Sequence, residues 1–340
     1  MQQLNNIKKT FIIAEIGVNH NGSYKLARKM IKVLKELGVD AIKFQLFKSN
    51  LLVLPLTKKT KYQIKNTHRD KTQQEMLKKL ELTNDQMLKL FNFTKSLGLN
   101  FIISPFDFES IKFIKKLKLD VIKIPSGEID NVPYLQQIGK LNKFIILSTG
   151  MSDLNEIKNA VKILNKFGTS KDKITILHCT TEYPAPYNDV NLNAIKLLRE
   201  KMKMKIGFSD HTRGIEISLA AVAIGASVIE KHFTLSKKLD GPDHQTSLEP
   251  NEFKDLINQI RNIEIAMGKK DKFLTPSEKK NINLVRKSIV AIENINKGEK
   301  FTYNNISTKR PRKGIPSSKW DKIIGKNSKF NFKKNDFIKI

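Results

Sequence analysis

Two histidines and two lysines in this sequence stand where an ordinary core residue would be expected, and their spacing carries chemistry. His211 in the stretch SDHT and His232 in EKHF each close a short apolar run. Side by side at neighbouring run ends, two imidazoles supply nitrogen donors for one divalent metal and leave its other positions to water and substrate. Asp243 and His244, in the GPDH stretch that follows, add weight to that reading. Cys179 is the only cysteine, so a thiolate zinc site or iron–sulfur site cannot be assembled and a disulfide within the chain is excluded. Lys43 and Lys123 sit inside β-branched and aromatic runs, where an ammonium must meet an anion. With the hydroxyls of Ser104, Ser126, Ser148 and Ser209 they suit a phosphate and a carboxylate. The same lysines also read as structural ion pairs with Glu15 and Glu128, and both readings stand at this level. His178, inside an apolar run, reads as a core histidine; His20 either lines a site or holds its loop.

Positioning such residues requires a scaffold, and the hydrophobic pattern supplies one. Eight apolar, β-branched runs recur: 11–17, 42–47, 100–106, 121–127, 144–150, 174–180, 206–210 and 228–234. Amphipathic helical stretches separate them, several ended by glycine as a C-cap. Alternating strand and helix signals make a parallel sheet, and eight such units without a GxGxxG turn after the first strand predict an α/β fold of the (β/α)8 TIM-barrel type. The polar residues named above cluster at the carboxyl ends of the runs, where such barrels carry their chemistry. The long connection from Lys48 to Asn84 reads as a site loop with a short helix near 73–82. After a barrel at 1–270 and a polar linker at 271–284, short alternating runs predict a small, mostly β domain at 285–340.

Composition limits the partners. Lys and Arg number 62 against 33 Asp and Glu among 340 residues, a net charge of +29. The lysines are spread over every segment, so the excess reads as compositional bias, with neither nucleic acid nor membrane expected as a partner. It also steers anionic small molecules inward. The only apolar run near the start, Phe11 to Ile13, is too short for a signal peptide or membrane span, and a cytoplasmic setting is expected.

With these segments laid out, the chain resembles the sialic acid synthase family nearly end to end. The resemblance rests on AEIGVNHNGS, IKFQLFK, YQIKNT, KIPSGE, LSTGM, HCTTEYPAPYNDVNLNAI, GFSDHT, EKHFTL, GPDH, VRKSIV and the KRP near the C-terminus. It implies a barrel followed by an antifreeze-like (SAF, β-clip) domain, in a homodimer whose small domain covers the partner's active site. It implies a transferase that condenses phosphoenolpyruvate with an N-acylated amino sugar. The first expectation is an N-acetylneuraminate synthase using N-acetylmannosamine; the alternative is a legionaminate synthase using 2,4-diacetamido-2,4,6-trideoxymannose, and a third is another phosphoenolpyruvate-condensing keto-deoxy sugar acid synthase. Carried over by motif, Lys43, Ser104, Lys123, Ser126, Ser148 and Ser209 would hold phosphoenolpyruvate, and His211 and His232 the metal, expected as Mn2+ with Mg2+ or Co2+ as alternatives. Glu15, Gln45, Asn66, Tyr183 and Asp243 would contact the sugar, with Glu15 also counted among the catalytic residues. Glu128 would place the attacking water, and Arg310 would reach the N-acyl group from the other subunit. Two departures stand out: KRP continues as RKG, with Arg312 and Lys313, and Thr180-Thr181 replaces an Asn found in some relatives.

Overall fold

The computed structural model describes residues 9–67 and 70–340, which divide into two compact units, one up to Gly268 and one from Lys269 to Ile340. In the first unit eight parallel strands close into a barrel in sequence order: β1 (Phe11–Gly17), β2 (Ala41–Leu46), β3 (Asn100–Pro105), β4 (Val121–Ile124), β5 (Phe144–Ser148), β6 (Ile174–Cys179), β7 (Lys205–Asp210) and β8 (Val228–His232). Each strand leads to a helix: α1 (Tyr24–Leu37), α2 (Asn84–Ser96), α3 (Phe108–Leu117), α4 (Val132–Lys140), α5 (Leu154–Lys166), α6 (Asn193–Met202), α7 (Glu216–Ala223) and α8 (Pro250–Met267). Local chemistry sets their starts: the side chains of Ser23, Thr83, Asp107, Asn131 and Asp153 each cap an exposed helix N–H. The long β2–α2 connection is not bare loop. It carries short helices at Ser49–Leu52, Lys61–Asn66 and Gln73–Leu80, the last of which the sequence pattern anticipates.

Strand periodicity separates two cores. One face of each strand packs outward against the helices, as with Ile12, Ala14, Ile42, Phe44, Ile103 and Ile229. The alternate residues point into the barrel, where Phe11, Ile13, Ala41, Ile102, Val121, Ile146, Leu177 and Val228 form an apolar plug. Two residues further along the same inner faces the side chains become Glu15, Lys43, Ser104, Lys123, Ser148 and Glu230, all buried. The barrel is therefore greasy at its base and charged toward the carboxyl ends of its strands.

The second unit builds its own core from Ile289, Ala291, Ile295, Phe301, Ile306, Ile323, Phe332 and Ile338. It has one regular ladder, β9 (Ser288–Ala291) antiparallel to β10 (Ile306–Lys309), extended by isolated bridges such as Val290 with Phe337 and Ile295 with Phe332. The polar stretch before it holds two single-turn helices, Pro276–Lys279 and Ile282–Val285. Among the described residues no helix is long and apolar enough to cross a membrane.

Candidate active site

A cavity of about 410 Å³ opens above the charged layer. Its floor is an electrostatic cluster centred on Glu230. One oxygen of this carboxylate, Oε1, lies 3.3 Å from Lys43 Nζ and 3.4 Å from Lys123 Nζ, and accepts a 3.1 Å hydrogen bond from Ser209 Oγ. Lys43 also meets Glu15 at 2.9 Å and donates to Ser104 Oγ at 3.3 Å, while Lys123 donates to Ser148 Oγ at 2.7 Å. Burial would push the Glu230 carboxyl up, but Lys123 and Lys43 override it and hold it well below the usual range. Glu15 is raised, chiefly by burial and against the pull of Lys43. Burial lowers Lys123 despite its carboxylate neighbour. Two ammoniums thus share one firmly ionised carboxylate, and an anion entering the cavity would complete their coordination.

The ion pairs correct one expectation. The structural reading paired the lysines with Glu15 and Glu128; Lys43 does meet Glu15, but Lys123 takes Glu230. Glu128 follows Pro125, outside strand β4, and its Oε2 accepts instead from Asn131 Nδ2 at 2.5 Å. It lines the cavity, with its carboxyl raised by partial burial.

The two histidines converge at the rim, their ring centroids 5.6 Å apart. His211 Nδ1–H donates to the Thr180 carbonyl at 2.7 Å, which leaves Nε2 as the lone-pair nitrogen, 3.2 Å from Tyr183 Oη and 3.5 Å from Ser209 Oγ. His232 Nδ1 is buried with no hydrogen-bond partner among the described residues and lies 3.9 Å from Asp243 Oδ2. Burial lowers both imidazoles, His211 to about 4, so both are neutral. Neutral rings, a carbonyl-fixed tautomer and an orphaned ring nitrogen suit a divalent cation. Among the described residues no group of three or more His, Cys, Asp or Glu side chains is set to hold a metal, so these two would be its protein ligands, with further positions open.

The remaining predicted residues separate by location. Gln45 donates to Glu15 Oε1 at 3.3 Å, and Gln45, Ser126, Tyr183 and Asp243 all line the cavity. Asp243 is pushed up to about 7, mainly by burial and then by Glu15. Ser104 lies fully buried beneath the wall and reaches the cavity only through Lys43. Asn66 lines a neighbouring cleft and donates to the Pro242 carbonyl at 2.7 Å. Arg310 belongs to the second unit, exposed directly after β10. His178 points away from the barrel interior onto Phe208 and bonds the Val190 carbonyl; His20 stacks on Phe44 and accepts from Gly22 N, holding its loop.

Glu230 and Tyr62 join the predicted residues at the site. Glu230 had a legible signal, since it lies two positions before His232 in a β-strand and so shares its face. Tyr62, which opens the YQIKNT motif, lies against Tyr183 at 5.0 Å between centroids. Thr181, named above with Thr180 and placed after β6, lines the cavity with a buried Oγ1 that has no hydrogen-bond partner among the described residues. Beside it Gly150 N donates to Ser126 Oγ at 3.0 Å, and a Cβ on Gly150 would stand 2.1 Å from Thr181 Oγ1 and 2.9 Å from Ser126 Oγ. Only glycine leaves this corner of the cavity open.

Known proteins resemble this chain over most of its length. The NeuB family profile matches residues 30–272 and a SAF domain profile matches 286–339. The chain is 51% identical over 333 residues to the N,N'-diacetyllegionaminic acid synthase of Campylobacter jejuni subsp. jejuni, covering 98% of this chain and 100% of the relative. It is 43% identical to the enzyme of the same name from Legionella pneumophila subsp. pneumophila, covering 94% and 91%. A solved N-acetylneuraminic acid (sialic acid) synthetase from Leptospira borgpetersenii serovar Hardjo-bovis, in complex with citrate, superposes with a TM-score of 0.71 at 33% identity, over 82% of this chain and 91% of that one.

Proposed function

The chain belongs to the NeuB family and is a phosphoenolpyruvate-condensing synthase of the sialic acid type, and from that premise we propose that its product is N,N'-diacetyllegionaminic acid. The observation that carries the acceptor is the end-to-end 51% identity to a synthase of that name, against 33% for the solved N-acetylneuraminic acid synthetase. This reverses the order expected from motifs, which N-acetylneuraminate and legionaminate synthases share.

In this reading Lys43 and Lys123 take the carboxylate and phosphate of phosphoenolpyruvate, with Ser126, Ser148 and Ser209 donating to their oxygens. Ser104 supports Lys43 from below. Glu15, Gln45, Tyr183 and Asp243 hold the open-chain sugar so that its aldehyde carbon meets C3 of phosphoenolpyruvate. A divalent cation held by His211 and His232, Mn2+ first among the candidates, would supply Lewis-acid polarisation of the aldehyde oxygen. As the C3–C bond forms, positive charge develops at C2. The Glu128 carboxylate stabilises it, orients water toward it and accepts the water's proton. The C2–O bond then breaks and phosphate leaves, giving the 2-keto acid. Asn66 steadies the loop of Pro242 beside Asp243. Arg310 is assigned to the N-acyl group in a partner's cavity; its exposure after β10 and the SAF match support that role.

The test is phosphate release from phosphoenolpyruvate with Mn2+, comparing 2,4-diacetamido-2,4,6-trideoxymannose with N-acetylmannosamine, each with a chelator control. Faster turnover of the trideoxy sugar is expected. Preference for N-acetylmannosamine would return the assignment to N-acetylneuraminate, and no release with either would refute both. A second expectation follows from the glycine corner: Gly150→Ala should raise KM for phosphoenolpyruvate roughly tenfold to a hundredfold, because the new methyl displaces Thr181 and Ser126. Steady-state kinetics checks it, and an unchanged KM would remove this corner from the anion site.

A further inference from the structure

Behind the two histidines, on the outer face of the same strands, lies a second buried ion pair that lines no part of the cavity. Lys231 Nζ meets Asp210 Oδ2 at 2.9 Å, with both side chains wholly buried. The β7–β8 register sets these residues directly opposite one another. Asp210 immediately precedes His211, and Lys231 immediately precedes His232. Successive strand residues face opposite ways, so the pair grips the outside of the backbone where the histidines project inward.

The grip is closest around His211. Asp210 Oδ1 accepts from Thr212 N at 2.8 Å and Thr212 Oγ1 at 2.7 Å, and Oδ2 also accepts from Ser218 Oγ of α7 at 2.6 Å. Lys231 Nζ donates to the Thr212 carbonyl at 2.7 Å. His211 is thus bracketed by a turn that Asp210 closes from one side and Lys231 from the other. β7 ends at Asp210, and beyond it the bracket works together with the His211 carbonyl, which accepts from Ala185 N at 2.9 Å. Buried ion pairs seldom hold strands better than well-packed apolar residues, so stability alone is a poor account of this one.

We infer that Asp210 and Lys231 are positioning residues that set the spacing of His211 and His232 and thereby the affinity of the site for a divalent cation. The inference rests on the reading of these histidines as metal ligands. A ligand pair works only when held to within about half an ångström, and the Asp210–Lys231 pair ties together the two strand ends that carry the rings.

The experiment is Mn2+ binding to the full chain without substrates, followed by the paramagnetic resonance signal of free Mn2+, alongside thermal melting. The variants are Asp210→Asn and the apolar double variant Asp210→Leu/Lys231→Met. Asp210→Asn should weaken Mn2+ binding by about 10- to 100-fold. The double variant removes the buried charges together but orphans the Thr212 and Ser218 donors, so it should melt below the wild type, and in the folded chain it should bind Mn2+ at least about tenfold more weakly. A merely structural pair would lower the melting temperature and leave the Mn2+ affinity of the folded chain unchanged. If Asp210→Asn does not fold, the double variant carries the test alone. Wild-type affinity in any folded variant, within about threefold, overturns the inference while leaving the metal reading intact. A wild-type chain that binds no Mn2+ overturns the metal reading itself, and the inference with it.

Discussion

Glu230→Gln should yield a barrel that is markedly weaker without ligand and recovers when an anion fills the cavity. The substitution keeps shape and volume and removes one charge. In the native chain that charge faces two buried ammoniums at 3.3 and 3.4 Å. Unpairing a buried charge costs about 3–5 kcal/mol, and at the lower figure a unit of this size loses roughly 6–12 °C of melting temperature. Phosphoenolpyruvate supplies the missing negative charge, so its stabilising effect, which grows with binding to the folded state, should be larger in the variant than in the wild type. Thermal melting with and without phosphoenolpyruvate measures both. A variant that melts within about 2 °C of the wild type would show that Glu230 is not the counterion of the lysines.

His211→Ala should reduce phosphate release by at least about a hundredfold, the upper end of what loss of a mere supporting partner costs a metal site. The reason is geometric. Nδ1 is committed to Thr180, so Nε2 is the nitrogen that His211 offers at the cavity rim, beside His232. Metal content should fall with activity, while folding should persist because the barrel's cores lie elsewhere. Near-normal turnover with unchanged metal content would sink the assignment. Loss of activity with full metal content would move His211 to a role in substrate contact, beside Tyr183.

The barrel was legible because its signal is repeated. Eight apolar runs, each followed by a helical stretch, admit few arrangements, and the strands begin within a residue of the runs that announce them. Their ends were less legible. The run from Val121 extends by composition to Gly127, but Pro125 has no N–H for the ladder, and the chain turns into a 3-10 helix at Ser126–Glu128. That turn carries Glu128 off the strand and away from Lys123. The parity of each strand was also in the sequence: Lys43, Lys123, Ser209, Glu230 and His232 occupy inward positions, whereas His178 and Lys231 occupy outward ones.

The sequence by itself determined the element order, the family, and the residue types collected at the strand ends, because these follow from periodicity and from motifs that are local in the chain. Only the tertiary structure decided the pairings. Glu230 becomes the shared partner of Lys43 and Lys123 because closing the sheet brings β8 beside β1 and across from β4, a relation that no local spacing encodes. The same closure buries the two imidazoles until they are neutral and sets Asp210 against Lys231 behind them. Charge in a low-dielectric interior is governed by the nearest neighbours in space, and those neighbours exist only once the barrel has closed.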